Sequence, residues 1–219
     1  MLVRTHSSVG MSCALALNIA VPQIIAMYDI HPLVGAVSAA AAGSIGGELS
    51  DVDSSRSKSH NSVKKISTAV LFVSILTVFL DQQFQIGIID EIIQNSSYTR
   101  VTFGIVALLA TCIYGSTTKH RTFMHSFSGG LVVTSICVFI IAPFLVPFYA
   151  IGYASHILID LPNHRKVYPL YPFVKKGICL SICKSDGTVN YLLETVATVI
   201  AAILLLYQFN MYKDILGIF

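Results

Sequence analysis

Four short clusters of histidine and carboxylate side chains punctuate a 219-residue chain that otherwise avoids polarity. They are Thr5-His6, Leu49-Ser50-Asp51-Val52-Asp53, His120-Arg121-Thr122-Phe123-Met124-His125-Ser126 and His156-Ile157-Leu158-Ile159-Asp160. Neutral imidazole and carboxylate are ligand types that hold zinc or manganese. His156 and Asp160 are four residues apart, so on a helix they share a face and can grip one ion. Asp51 and Asp53 are two apart at a helix end, where a carboxylate pair can bridge two ions. His120 and His125, five apart, are too far for one clean helical face and are expected to flank a bend. A lone interfacial histidine, or an Asp-x-Asp by itself, is ordinary. Four such clusters on one side of a membrane are not, because ionisable groups near a hydrocarbon core are costly and tend to be kept for function.

The elements that must position them are membrane helices. Hydrophobic residues make up 54% of the chain and charged residues 11%, where an ordinary soluble domain carries roughly 25% charged residues. Mean hydropathy is +0.73. These values exclude a soluble globule, a disordered chain, a coiled coil and a disulfide scaffold, and the length leaves room for one integral membrane domain over 1–219. A crossing needs roughly 20 mainly apolar residues. Such runs occur at 8–27, 32–49, 66–86, 100–116 and 190–210, with a longer stretch at 127–160. Pro143 and Pro147 break that stretch into short helices at 127–142 and 146–160. The expected fold is an all-α polytopic bundle of six or seven transmembrane helices, with a metal site at one membrane face.

Alternating crossings place His6, the 50–65 loop, residues 117–126 and residues 156–189 on the same side. That side carries 12 of the 14 Lys and Arg residues, six of the seven histidines and six of the 11 acidic residues. Basic residues concentrate in cytoplasmic loops, so the N-terminus and the metal site are expected to be cytoplasmic, with the C-terminus outside. His31 alone falls on the far side and reads as an ordinary interfacial histidine. The N-terminal run lacks a clear small-residue cleavage site, which argues against a removed signal peptide. The five cysteines show no framework spacing; Cys179 and Cys183 would stay reduced on a cytoplasmic face.

The ordered set His6, Leu-Ser-Asp-Val-Asp, His-Arg-Thr-Phe-Met-His-Ser and Gly152-Tyr153-Ala154-Ser155-His156-Ile157-Leu158-Ile159-Asp160 resembles the YdjM-like family. Its members are bacterial inner-membrane proteins regarded as metal-dependent hydrolases, some under LexA control. The family pattern reads approximately H, LPDxD, HRGxTHS and GxxSHxLxD, followed by a Pro-containing loop. The likeness covers nearly the whole chain, and its third and fourth motifs are the most specific. Ser50 stands where the family usually has Pro, Thr122 where it has Gly and Met124 where it has Thr; no candidate ligand is lost. Through the family's distant similarity to zinc-dependent phospholipase C and P1-type nucleases, the resemblance implies His6, Asp51, Asp53, His120, His125, His156 and Asp160 as ligands. Seven ligands exceed one tetrahedral site and imply two or three ions, zinc or manganese.

Such clusters lower the pKa of a water enough to make it a nucleophile near neutral pH. The expected reaction is therefore hydrolysis of a phosphate ester, in a lipid whose headgroup reaches the cytoplasmic interface. Asp51 or Asp53 would orient the water, and Arg121 would contact phosphate oxygens or only enforce topology. Glu194 is either a hydrogen-bond partner of a ligating histidine or an unpaired interfacial carboxylate; the family's Glu near this position favours the first. His164 is a nearby extra candidate. The loop 161–189 reads as a lid over the site or as an aromatic membrane anchor. His-Glu-x-x-His, Gly-x-Ser-x-Gly and the P-loop are missing, as is the Ser-Gly-His element of PAP2-type lipid phosphatases. No basic-aromatic stripe marks a nucleic-acid track. The rival expectation is a metal transporter or metal-stabilised membrane scaffold; a transporter would hold its ligands near the bilayer midplane on broken helices.

Overall fold

Prolines set the helix boundaries. The computed structural model describes residues 3–54, 83, 96–182 and 187–212. The expected third span, 66–86, and the basic residues Arg56, Lys58, Lys64, Lys65, Lys184 and Lys213 lie outside the described residues. Helix α1 covers Val3–Ala20 and stops ahead of Pro22, which opens the single turn α2, Gln23–Ala26. Proline has no N–H to donate and its ring clashes with the carbonyl four residues earlier. The first helix is thus not the expected 8–27, and His6 sits inside α1 rather than before it. Pro32 begins α3, Pro32–Leu49, which tightens into a 3-10 turn over Ser50–Asp53. Helix α4 is Ser96–Thr117. After a loop, a π turn at Phe127–Leu131 leads into α5, Val132–Ile141. Pro143 starts a 3-10 turn, Pro143–Leu145, that separates α5 from α6, Val146–Asp160. Helix α7 is Thr188–Tyr212. Among the described residues there is no strand, only an isolated antiparallel bridge between Val167 and Ile178.

Among the described residues, three stretches are long and apolar enough to cross a membrane: Pro32–Asp53, Ser97–Thr117 and Thr188–Met211. The apolar helix Phe127–Ile141 and the 15-residue α6 are shorter. At about 1.5 Å per residue, α6 reaches roughly 22 Å, less than the about 30 Å of a hydrocarbon core.

Close packing sets the helix directions. A Cβ on Gly47 would collide with the His6 carbonyl, and a Cβ on Gly43 with Ala14 and the Gly10 carbonyl, so α1 and α3 run antiparallel in contact. A Cβ on Gly152 would in turn strike Gly43, and His156 binds the Gly47 carbonyl, which aligns α6 parallel to α3. Without side chains at these glycines the three backbones approach closely, the usual way membrane helices gain van der Waals contact. Helix α7 lies parallel to α1 along a polar seam. Thr5 donates to Asn190 at 3.0 Å, Ser12 to the Ala197 carbonyl at 2.7 Å and Asn18 to Gln208 at 2.6 Å. The starts of α1 and α7 and the ends of α3 and α6 therefore share one end of the bundle. Buried Val52, Cys112 and Met124 pack together there and bring in the end of α4. Crossing parity groups the same four regions.

Candidate metal centre

The cluster forms where four chain segments meet at that end. His6 projects from the second turn of α1, Asp51 and Asp53 from the 3-10 turn after α3, and His156 and Asp160 from α6. His120 and His125 flank a bent loop, as their spacing predicts. That loop is pinned beneath by buried Met124, whose sulfur lies against Gly115, and by Tyr153, which donates to the Met124 carbonyl. Ser126 caps the following π turn by accepting from the Gly129 and Gly130 amides at 3.0 and 3.1 Å.

All seven implied ligands come together. Among the described residues, three overlapping groups have the geometry to hold a metal ion: His6, His156 and Asp160; Asp51, His125 and His156; Asp53, His120 and His125. His125 and His156 each belong to two groups, so the three form a chain. Within it, His6 Nε2 lies 3.5 Å from Asp160, His125 Nε2 3.6 Å from both Asp51 and Asp160, and His120 Nδ1 2.7 Å from Asp53.

The donor atoms suit a metal. His156 Nδ1 lies 2.6 Å from the Gly47 carbonyl; a carbonyl only accepts, so Nδ1 carries the proton and Nε2 offers its lone pair to the cluster. That Nε2 is 3.2 Å from His125 Nε2, about the separation of two nitrogens that each sit roughly 2.0–2.1 Å from one tetrahedral zinc. His6 is wholly buried, and neither of its ring nitrogens has a hydrogen-bond partner. Buried polar atoms are normally satisfied; a cation among His6, His156 and Asp160 would satisfy this one.

Without a metal, a proton takes its place on His125. Burial is the largest influence on this imidazole and acts to lower its pKa, but the Asp51 and Asp53 carboxylates, with Asp160 behind them, outweigh burial and push it up to about 10. The imidazolium then donates from Nδ1 to Asp53 Oδ2 at 3.2 Å and points Nε2 at His156.

Arg121 ties two ligand segments together. Its φ of 69° places it in the left-handed region, which costs a non-glycine residue on the order of 1 kcal/mol. The backbone N–H is thereby aimed at Asp53 Oδ2, 2.9 Å away. Its buried guanidinium pairs with Asp160 Oδ2 at 3.1 Å and donates to the Arg165 carbonyl at 2.9 Å. The expected phosphate contact does not match this direction, since the guanidinium faces a ligand carboxylate. Lys119 is exposed on the same turn.

Glu194 is half-buried on α7, and among the described residues no hydrogen bond or ion pair joins its carboxylate to the cluster. His164 is exposed, and His31 caps α3 by accepting from the Leu33 amide at 3.3 Å. Asn163 escaped the sequence reading although it adjoins His164. It donates to Asp160 Oδ1 at 2.7 Å and is buried. Its position three residues after a ligand, on the turn that ends α6, was the available signal. The Gly47 and Arg165 carbonyls could not be found this way, because backbone acceptors carry no residue signature.

The side chains of Asp53, His125 and His156 are fully enclosed, whereas His120 is 32% exposed and Asp51 11%. Access to the cluster is therefore from the His120–Asp51 edge. Residues 1–214 match the YdjM inner membrane protein family. The chain belongs to the YdjM family. No curated protein and no solved structure matches it. The site of this YdjM protein thus combines an inner-membrane family with buried ligand groups fit for a metal ion.

Proposed function

We propose that this YdjM protein is a metal-dependent hydrolase that cleaves the phosphate ester of a membrane lipid at the cytoplasmic interface, using two or three divalent ions, zinc or manganese. The observation that carries the reading is the sharing of His125 and His156 among three adjacent ligand groups. A single structural ion needs one closed set of about four ligands, whereas a chain of incomplete sets leaves positions for water and substrate. Ions held by these His and Asp residues would supply a lowered pKa for bound water and offset charge on phosphate oxygens.

The chain's own residues supply the rest. Asp51 is the carboxylate at the open edge, so it is placed to orient the incoming water. Asp53 holds His120 and His125 in register through its two oxygens. Arg121 and Asn163 keep both oxygens of Asp160 fixed, and the Gly47 carbonyl keeps His156 in the tautomer that binds. The concentration of lysine and arginine on this side supports a cytoplasmic orientation. The position of the ligands at helix ends, away from mid-span, argues against a transporter.

The test is metal content per chain and turnover of phosphorylated lipids by purified protein, alongside His156→Ala and Asp160→Ala. Hydrolysis that requires the metal and both residues is the expected result. Metal binding with no phosphoester turned over, together with ligand-dependent metal movement in proteoliposomes, overturns the hydrolase reading in favour of transport. Labelling at Arg165→Cys in a cysteine-free background reports orientation; periplasmic reactivity there overturns the cytoplasmic assignment.

A further inference from the structure

The segment 161–182, which leaves α6 and runs towards the start of α7, is a folded arm whose outer surface the described part of the bundle does not use. It doubles back on itself. Val167 and Ile178 exchange backbone hydrogen bonds at 2.9 and 2.8 Å, and the Leu180 and Ile182 amides donate to the Leu161 and Pro162 carbonyls. The arm is tied to the cluster: the Tyr168 amide donates to the Arg121 carbonyl, the Phe127 amide to that of Pro169, and the Ser128 hydroxyl to that of Tyr171. Val167 is its buried peg.

The outward side chains are of two kinds. Phe173 is 82% exposed and Ile182 73%, with Leu170, Val174 and Leu180 also exposed. The same arm carries Arg165, Lys166, Lys175 and Lys176, all exposed. Residues 161–182 contain no Asp or Glu. Large apolar side chains in water are unfavourable as a contiguous patch, and four cations on an arm with no acidic residue of its own call for an anionic partner. The arm's place in the chain selects which one. It follows the end of α6 and precedes Thr188, where a helix long enough to cross the membrane begins, so it lies at the level of headgroups rather than out in solvent.

We infer that the 161–182 arm docks on the anionic leaflet at the cluster end, with Phe173, Leu170 and their neighbours at the headgroup–acyl boundary and the lysines on lipid phosphates. Apolar burial and attraction to anionic lipid act together in such interfacial contacts. The inference goes beyond hydrolysis, since it concerns binding and holds whatever reaction the cluster performs. Its consequence is that the arm couples the leaflet to Arg121 and Asp160 through the Arg165 carbonyl.

The chain has no tryptophan, so Phe173→Trp in the full-length protein gives a single reporter at a side chain too exposed to disturb folding. In vesicles of phosphatidylcholine and phosphatidylglycerol, its emission is expected to be blue-shifted and quenched by lipids brominated near the top of the acyl chain. Adding Lys175→Gln and Lys176→Gln is expected to reduce the quenching, as is replacing the anionic lipid or raising the salt. Emission at the wavelength of water-exposed tryptophan, insensitive to brominated lipid, overturns the inference. A blue shift without bromine quenching, or one that grows with protein concentration in detergent, also overturns it and assigns the arm to a protein contact such as a second copy.

Discussion

Helices α3 and α7 both qualify as membrane spans, yet 56% of the spanning window is buried in the first and 17% in the second. Their residues explain the difference. Helix α3 presents Gly35, Ala36, Ala39, Ala42, Gly43, Gly46 and Gly47 to its neighbours, so other backbones reach it from more than one side. Helix α7 turns Ile203, Leu206 and Tyr207 outward and holds α1 by Asn190, Ala197 and Gln208. Two helices that both qualify to cross a bilayer therefore serve two duties. One helix is an internal post that sets the positions of Asp51 and Asp53; the other is an outer wall that meets lipid.

The sharpest test of that contrast is steric. Gly43→Leu forces a side chain into Ala14 and Gly10, where backbone as well as side chain must move. Overpacking typically costs about 1–3 kcal/mol, and with backbone on the far side the loss is expected at or above the top of that range. Leu206→Ala on α7 removes only lipid contact and is expected to change stability little. Thermal unfolding in detergent compares the two; equal losses would erase the distinction between post and wall.

A loss of comparable size is expected from removing the ligand carboxylate at the end of α6. Asp160→Ala leaves the Arg121 guanidinium buried without its carboxylate, and breaking a buried pair typically costs about 3–5 kcal/mol. The variant is also expected to bind less metal per chain. If the double variant Asp160→Ala, Arg121→Ala recovers stability but not metal, the two losses have separate causes, as the geometry requires.

A third test uses pH. In metal-stripped protein the His125 pKa is raised from 6.5 to about 10. A group with a raised folded-state pKa stabilises most below its unfolded value and loses that contribution as pH climbs through the folded one. The melting temperature of stripped protein is thus expected to fall between pH 6.5 and about 10, with a weaker fall in His125→Gln. Because metal must displace this proton, its affinity is expected to rise with pH over the same interval. A flat melting profile in both proteins would remove the proton from its assigned place.

The smallest effect is expected in the wall's seam. Asn18→Leu deletes one hydrogen bond to Gln208. Interhelical hydrogen bonds in membranes average about 0.6 kcal/mol, so the loss is expected near that value, measured by the same unfolding assay. A loss comparable to that of Gly43→Leu would make α7 a structural post as well.

Much of this was legible before any coordinates. Pro143 and Pro147 marked the α5–α6 break, because proline acts on its own backbone and needs no tertiary context. Parity of crossings grouped His6, Asp51, Asp53, His120, His125, His156 and Asp160 at one end. The start of α1 was less legible, since Arg4, Thr5 and His6 are polar and a hydropathy scan begins where polarity stops; a helix begins where its backbone can. The direction of Arg121 was not legible either. Its left-handed backbone and its pairing with Asp160 depend on where α6 ends relative to the loop, and nothing in the motif states that distance.

The amino-acid sequence by itself determined that this chain is a helical membrane protein and which side chains are suited to hold a metal, because both follow from residue type and short-range spacing. Only the tertiary structure decided how those ligands are divided, with His125 and His156 each serving two groups, and that Arg121 and Asn163 hold Asp160. The physical reason is that a shared ligand is a relation among four segments up to about 150 residues apart, set by the glycine-mediated approach of α1, α3 and α6, which no local pattern encodes.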